Sequence, residues 1–242
     1  MKIIGYLTSG YPSIDKSIET ARRYVDAGCN MLEISIPLEN NREKPFLNEI
    51  MKQAYAACPD YNEHMEAVIR IAKAMPDVPV TVLLYDEVLK AIGTTVFADA
   101  MNCCGIHDVN SANLTDKEII GELEMRDIHL AGLVTYDLIP WRIEQARRTR
   151  GFVYCQAFPR AGQNLNPEAD SVEKLIPYLR RQGISSPLYC GGGIATPEDA
   201  VRVMRAGADG FFLGSSIIAL YDRPQELHRT ISEFAEAARQ LN

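Results

Sequence analysis

Glu33 stands inside an apolar run, Met31-Leu32-Glu33-Ile34-Ser35-Ile36-Pro37-Leu38. Burying an ionised carboxylate is costly unless something compensates. Burial also raises a carboxyl pKa toward neutrality. A carboxyl that titrates near the working pH can both take and give a proton. Near the end of a strand, Glu33 therefore reads as a general acid/base. The competing readings are a buried ion pair and a solvent-facing strand end.

Two short turns could hold an anion. Gly191, Gly192 and Gly193 follow an apolar run in "YCGGGIATPED", and Gly214, Ser215 and Ser216 follow another in "FFLGSSI". Glycines let backbone N–H groups approach an oxyanion, and helix starts add orphan amides and a favourable dipole. Consecutive glycine turns of this kind predict a phosphate cradle rather than two structural turns. "GGGIAT" is not a dinucleotide fingerprint, because Thr196 occupies the place of the third glycine in G-x-G-x-x-G. Tyr6 and Tyr154 lie on predicted strands and could line a substrate. Asp86 and Asn113 fall just past two others, where each could position a substrate hydroxyl or cap a helix.

A metal site has no support. His64, His107, His129 and His228 show no ligand spacing, and the six cysteines form no C-x-x-C pair. Cys29, Cys155 and Cys190 in or beside apolar strands suit buried thiols in a reducing compartment.

The elements that must carry these groups alternate. Eight β-rich runs are predicted as strands: Ile3–Thr8, Met31–Ile36, Val80–Tyr85, Ile106–Asn110, His129–Val134, Phe152–Gln156, Leu188–Cys190 and Gly210–Leu213. Helical patterns follow them. Ser13–Ala27 places Ile14, Ile18, Ala21 and Val25 at helical spacing. Thr115 and Glu118 have the spacing of a capping box. Thr196, Pro197 and Gly207 mark the start and stop of another helix. "DAGCNMLEIS", "NCCGIHDVNS" and "RAGADGFFLG" repeat one grammar: a helix ends, a glycine turns, a strand begins.

Repeated βα units imply parallel strands with right-handed crossovers. Eight of them in 242 residues predict a single (β/α)8 TIM barrel spanning residues 1–242. An open doubly wound sheet is the alternative. More than forty residues separate Ile36 from Val80, so the loop after the second strand is elaborated. It holds predicted helical stretches at Pro45–Ala57 and Tyr61–Ala74. Elaborated loops at strand C-terminal ends are where barrels place chemistry.

A net charge of -7 with scattered Lys and Arg argues against a nucleic-acid partner. The densest basic stretch, Arg147–Arg150, falls at a predicted helix end, where cations favour the dipole. No apolar run approaches the roughly 20 residues of a membrane span. "KIIGYLT" has no signal-peptide pattern and reads as a strand, so the expected location is cytoplasmic.

With these residues in view, the chain resembles the α subunit of tryptophan synthase over nearly its whole length. "YLTSGYPSIDKSIE" looks like that family's first strand and its T-x-G-x-P turn. "DAGCNMLEISIP" looks like its EAGAD-x-[IL]-E-[IL]-G-[IV]-P, and "LLYDEVL" resembles its third strand ending in M-Y-x-N. "GGGIATPEDAVRVMRAGADGFFLGSSII" resembles its last third, where glycines and a Gly-Ser pair bind the substrate phosphate.

The resemblance implies retro-aldol cleavage of indole-3-glycerol phosphate to indole and glyceraldehyde 3-phosphate, without metal or organic cofactor. It carries the family's proton-shuttling glutamate onto Glu33 and its barrel tyrosine onto Tyr154. The phosphate ligands fall on Gly191, Gly193, Gly214 and Ser215.

The chain also departs from the pattern. After Pro37 the family's aspartate-rich loop is replaced by "LENNREKP", and its second catalytic aspartate falls on Lys44. Glu43 is adjacent and is the expected replacement, with Glu39 a further candidate and Lys44 lining the substrate. The serine-rich loop after the sixth strand is replaced by "FPRAGQN", in which Gly162 is expected to face the phosphate. Asn113 stands where an aspartate is usual. The family's α subunit docks on a pyridoxal-phosphate β subunit through the altered loop among other surfaces, so a β-type partner stays open here. A lyase for a related phosphorylated polyol fits the same residues. So do a non-catalytic phosphate-ester binder and a phosphosugar isomerase or epimerase using Glu33 for one proton transfer.

Overall fold

Nine strands are β1 (Lys2–Thr8), β2 (Met31–Ser35), β3 (Val80–Leu83), β4 (Asp108–Asn110), β5 (His129–Leu130), β6 (Gly132–Val134), β7 (Val153–Gln156), β8 (Leu188–Gly191) and β9 (Gly210–Leu213). They are seen in a computed structural model that describes residues 1–39, 45–111 and 113–241. Their order is β5-β4-β3-β2-β1-β9-β8-β7-β6, and the pairings are parallel. The two ends of that order, β5 and β6, are consecutive pieces of one extended segment interrupted at Ala131. Together they are the predicted fifth strand. Parallel strands in chain order, each followed by helix, make this a (β/α)8 barrel fold.

The helices are α1 (Ile14–Ala27), α2 (Pro45–Ala57), α3 (Tyr61–Ala74), α4 (Asp86–Ile92), α5 (Thr94–Asn102), α6 (Lys117–Met125), α7 (Pro140–Arg148), α8 (Val172–Arg181), α9 (Pro197–Arg205), α10 (Ser215–Ile218) and α11 (Pro224–Arg239). The elaborated connection after β2 holds α2 and α3, with the predicted bounds. Among the described residues no helix is long and apolar enough to cross a membrane.

One predicted cap shifts by a residue. Asp116, not Thr115, caps α6, its side chain accepting from the N–H groups of Glu118 and Ile119 at 2.9 and 3.4 Å. A carboxylate at this place also faces the positive end of the helix dipole. Thr196 caps α9 as predicted. Its hydroxyl accepts from Asp199 N–H at 3.3 Å, and Asp199 Oδ2 accepts from the N–H groups of Thr196 and Ala195, both at 3.0 Å. Thr196→Ala removes half of this box and should lower stability by about 1 kcal/mol, read as a reduced urea midpoint at unchanged slope.

The chain divides into two compact units: residues 1–5, 26–30 and 131–242, and residues 6–25 and 31–130. The first has an aromatic centre in which Phe152, Tyr154 and Tyr189 pack against Phe212. Its glycine at 210 lets β1 start, since a Cβ there would meet the Lys2 carbonyl oxygen at 2.5 Å.

The second unit buries Leu32, Ile34, Val82 and Val109 on strands and Phe97 and Leu123 on helices. It also buries His64, whose Nε2 donates to the Cys58 carbonyl at 2.8 Å and whose Nδ1 accepts from the Ser9 hydroxyl at 3.1 Å. Burial holds the imidazole below its usual pKa and therefore neutral. Gly10, with φ +79°, leaves room for that ring, since a Cβ would come within 2.9 Å of Nδ1. This gives the glycine of the T-x-G-x-P turn a physical reason.

Candidate active site

Glu33 is the middle residue of β2 rather than near its end as expected, sharing a face with Met31 and Ser35 while Leu32 and Ile34 point the other way. Its residue is 5% exposed, which removes the solvent-facing reading. Parallel register sets Glu33 beside Thr81 on β3, and Leu83 beside Asn110 on β4. Strands on either side of β3 lie roughly 9–10 Å apart. The long Glu33 side chain and the Asn110 amide span that gap, and Asn110 Nδ2 donates to Glu33 Oε1 at 3.0 Å.

Among the described residues no lysine, arginine or histidine pairs with Glu33, so the ion-pair reading finds no cation. Burial pushes its pKa from 4.5 up to about 7, and the Asn110 hydrogen bond pulls it partly back. A carboxyl poised there can serve as base and acid in one cycle. Asn110 was not foreseen as a site residue. Little in the sequence marks it: β4 reads Asp-Val-Asn, and Asn110 becomes a neighbour of Glu33 only through the register of β2, β3 and β4.

The glycine turns lie in the other unit. After β8, Gly192 and Gly193 take φ +83° and +94°, a left-handed pair suited to turning successive N–H groups one way. After β9, Gly214 leads into α10. Among the described residues, the N–H groups of Gly193, Ile194, Gly214 and Ser215 reach no backbone carbonyl, and the Ser216 hydroxyl is buried without a partner. N–H groups without a backbone acceptor at these two turns are free to meet an anion with several oxygens.

Gly191 also has a steric reason to be glycine. A Cβ there would lie 2.6 Å from Cζ of Tyr154, so the bare α-carbon makes space for the tyrosine ring. Phe158 rests on the same turn two residues on, 3.4 Å from where a Gly193 Cβ would be, with the Arg202 guanidinium 5.1 Å from its ring centre. The loop that carries Phe158 is tied by amides. Gln156 and Gln163 exchange hydrogen bonds of 2.8 and 3.1 Å, and Gln163 Oε1 also accepts from Arg160 N–H at 3.0 Å. Gly162, φ +74°, turns this loop in open space.

The remaining expected residues are placed as follows. Tyr6 is buried on β1, its hydroxyl 3.2 Å from Thr8 Oγ1. Asn113 fastens the start of α4, its Oδ1 accepting from Asp86 N–H at 3.2 Å and its Nδ2 donating to Glu87 at 3.0 Å. Asp86 Oδ2 accepts from Lys90, while Asp86 Oδ1 is buried without a partner. Glu43 and Lys44 lie outside the described residues. Among the described residues no group of three or more His, Cys, Asp and Glu side chains could hold a metal ion.

A profile of the tryptophan synthase alpha chain family matches residues 1–242. The tryptophan synthase alpha chain of Methanoregula boonei is 27% identical over 255 residues, covering 98% of this chain and 94% of the relative. That of Leptospira biflexa is 30% identical over 223 residues, covering 88% of this chain and 82% of the relative. The crystal structure of the tryptophan synthase alpha chain from Legionella pneumophila superposes with a TM-score of 0.82 at 21% identity, covering 100% of this chain and 92% of the other. At that identity the likeness speaks to the fold.

Proposed function

The chain belongs to the tryptophan synthase alpha chain family, and from that footing we propose that Glu33 is its proton carrier and that the turns after β8 and β9 bind the substrate phosphate. The family's reaction is a retro-aldol cleavage of indole-3-glycerol phosphate to indole and glyceraldehyde 3-phosphate. The ring carbon that leaves must gain a proton, and the neighbouring hydroxyl must lose one. The carbon–carbon bond then breaks, its electron pair stays with the ring carbon, and the hydroxyl carbon becomes an aldehyde. A carboxyl held near pKa 7 serves both transfers.

The observation that carries the assignment is a buried carboxylate whose protein partner is a neutral amide. A pure phosphate binder has no use for such a group. Gly191, Gly193, Gly214, Ser215 and Gly162 are assigned to the phosphate, and Tyr154 and Tyr6 to the reacting end. Phosphate held at a remote, non-reacting part of the substrate orients the bond to be broken. Asp86 and Asn113 are assigned to the substrate's polar rim, and Glu43 takes the part of the family's second carboxylate.

Lys44, in place of that aspartate, favours a second reading: the same cleavage on a related phosphate ester. Incubation with indole-3-glycerol phosphate separates the two. Indole and glyceraldehyde 3-phosphate released in equal amounts support the first. Intact substrate alongside measurable phosphate-ester binding supports the second. Isomerised or epimerised sugar phosphate among the products would overturn the lyase assignment. Family members typically pair with a β subunit; for this chain such pairing is a proposal, tested by co-elution with a tryptophan synthase β subunit. Free thiols at all six cysteines fit the proposed cytoplasmic location.

A further inference from the structure

Glu33 has two oxygens, and they are not equivalent. Oε1 is taken by Asn110 Nδ2 at 3.0 Å. Oε2 has no hydrogen-bond partner among the described residues. The Asn110 backbone does the structural work of its strand, its carbonyl accepting from Leu84 N–H at 3.0 Å. Among the described residues, the Asn110 side chain hydrogen-bonds to Glu33 alone.

We propose that Asn110 is a positioning residue that anchors Oε1 of Glu33 and so assigns the travelling proton to Oε2. The inference rests on the reading of Glu33 as the proton carrier and adds which atom does the work and what holds it there. An amide N–H can donate to the same oxygen in both states of the carboxyl. It bonds to a carboxylate oxygen when Glu33 is ionised and to the carbonyl oxygen of the acid when Oε2 is protonated. The anchor therefore survives the whole cycle.

The neutrality of the anchor matters as much as its reach. A guanidinium or ammonium at position 110 would hold Glu33 ionised and spoil it as an acid. A second carboxylate would force the pair to share a proton and spoil it as a base. An apolar residue would leave burial unopposed. Three titratable groups on or next to the flanking strands have contacts of their own. Asp108 on β4 lies 3.7 Å from His129 Nδ1, and the Tyr6 hydroxyl lies 3.2 Å from Thr8. Tyr85, just past β3, directs its hydroxyl to the Met51 sulfur at 3.9 Å.

The test is a titration of Glu33 by carbon NMR of the labelled carboxyl, run on wild type and Asn110→Leu, with pH profiles of kcat and KM on the same proteins. Removing the donor should raise the titration midpoint by about one pH unit or more. The acid limb of kcat/KM should move upward with it. Plateau kcat should fall about tenfold with KM nearly unchanged, because an unanchored carboxyl no longer presents Oε2 in one geometry. Asn110→Ala, which demands no added space, gives the same readouts if the leucine variant fails to fold. An unmoved midpoint and an unmoved profile, with Glu33→Gln inactive, would overturn the role of Asn110 and leave Glu33 as the carrier. Full turnover in Glu33→Gln would overturn both.

Discussion

Glu33→Gln is expected to lower kcat by about a hundredfold or more, the usual share of general acid–base catalysis, while phosphate-ester binding stays nearly intact. Glutamine keeps the shape and still offers an oxygen to Asn110 Nδ2, but it carries no titrating proton. The phosphate ligands proposed for this chain lie on other strands, so affinity has no reason to change.

Stability separates this outcome from a structural role. Glu33 is raised in the folded state from 4.5 to about 7. A raised carboxyl pKa means that the folded protein binds the proton more tightly than the unfolded chain does. The wild type should therefore lose about 3 kcal/mol of stability as pH rises from roughly 4.5 through 7. The glutamine variant should show no such loss from this position, and should match or exceed the wild type above pH 7. Urea midpoints across this range, measured beside turnover, decide the matter. Retained turnover with a lowered midpoint in the variant would sink the catalytic assignment.

Gly214→Asp should cost at least tenfold in affinity for a phosphate ester or inorganic phosphate, about 1.4 kcal/mol or more. The fold should survive, because a Cβ at Gly214 meets nothing within 4 Å. The change thus adds a negative charge where unengaged N–H groups gather, and it adds little else. Calorimetry with inorganic phosphate reads the loss directly. Unchanged binding would mean that the cradle lies elsewhere.

Much of this arrangement is legible in the amino-acid sequence. Hydrophobic runs separated by helical spacing marked all eight strands, because parallel strands buried on both faces read as near-continuous apolar segments. Glycine and proline punctuated the helices. The break at Ala131 within the fifth strand was not read, although Gly132 follows it directly, because the run His129–Val134 is otherwise continuous in β-rich residues. The cap of α6 was misplaced by one residue because Thr115 and Asp116 are both good caps and only the backbone path chooses between them.

At the site, Glu33 announced itself by charge in an apolar run. Asn110 did not, because its meaning depends on register: it becomes the partner of Glu33 only once β2, β3 and β4 are aligned. Gly191 was legible as a glycine next to a turn, but the second demand on it, space for the Tyr154 ring, depends on the packing of two strands and was not.

That last contact sets an order on how this protein can change through descent. A side chain at 191 with Tyr154 in place forces atoms together, and overpacking of this kind typically costs about 1–3 kcal/mol. Shrinking residue 154 first removes the obstacle, and the glycine can then be replaced without that penalty. The two positions are thus epistatic, and the unstrained path between genotypes always passes through glycine at 191 with a smaller residue at 154. A lineage that kept its tyrosine would keep its glycine too, whether or not any ligand ever touched that glycine.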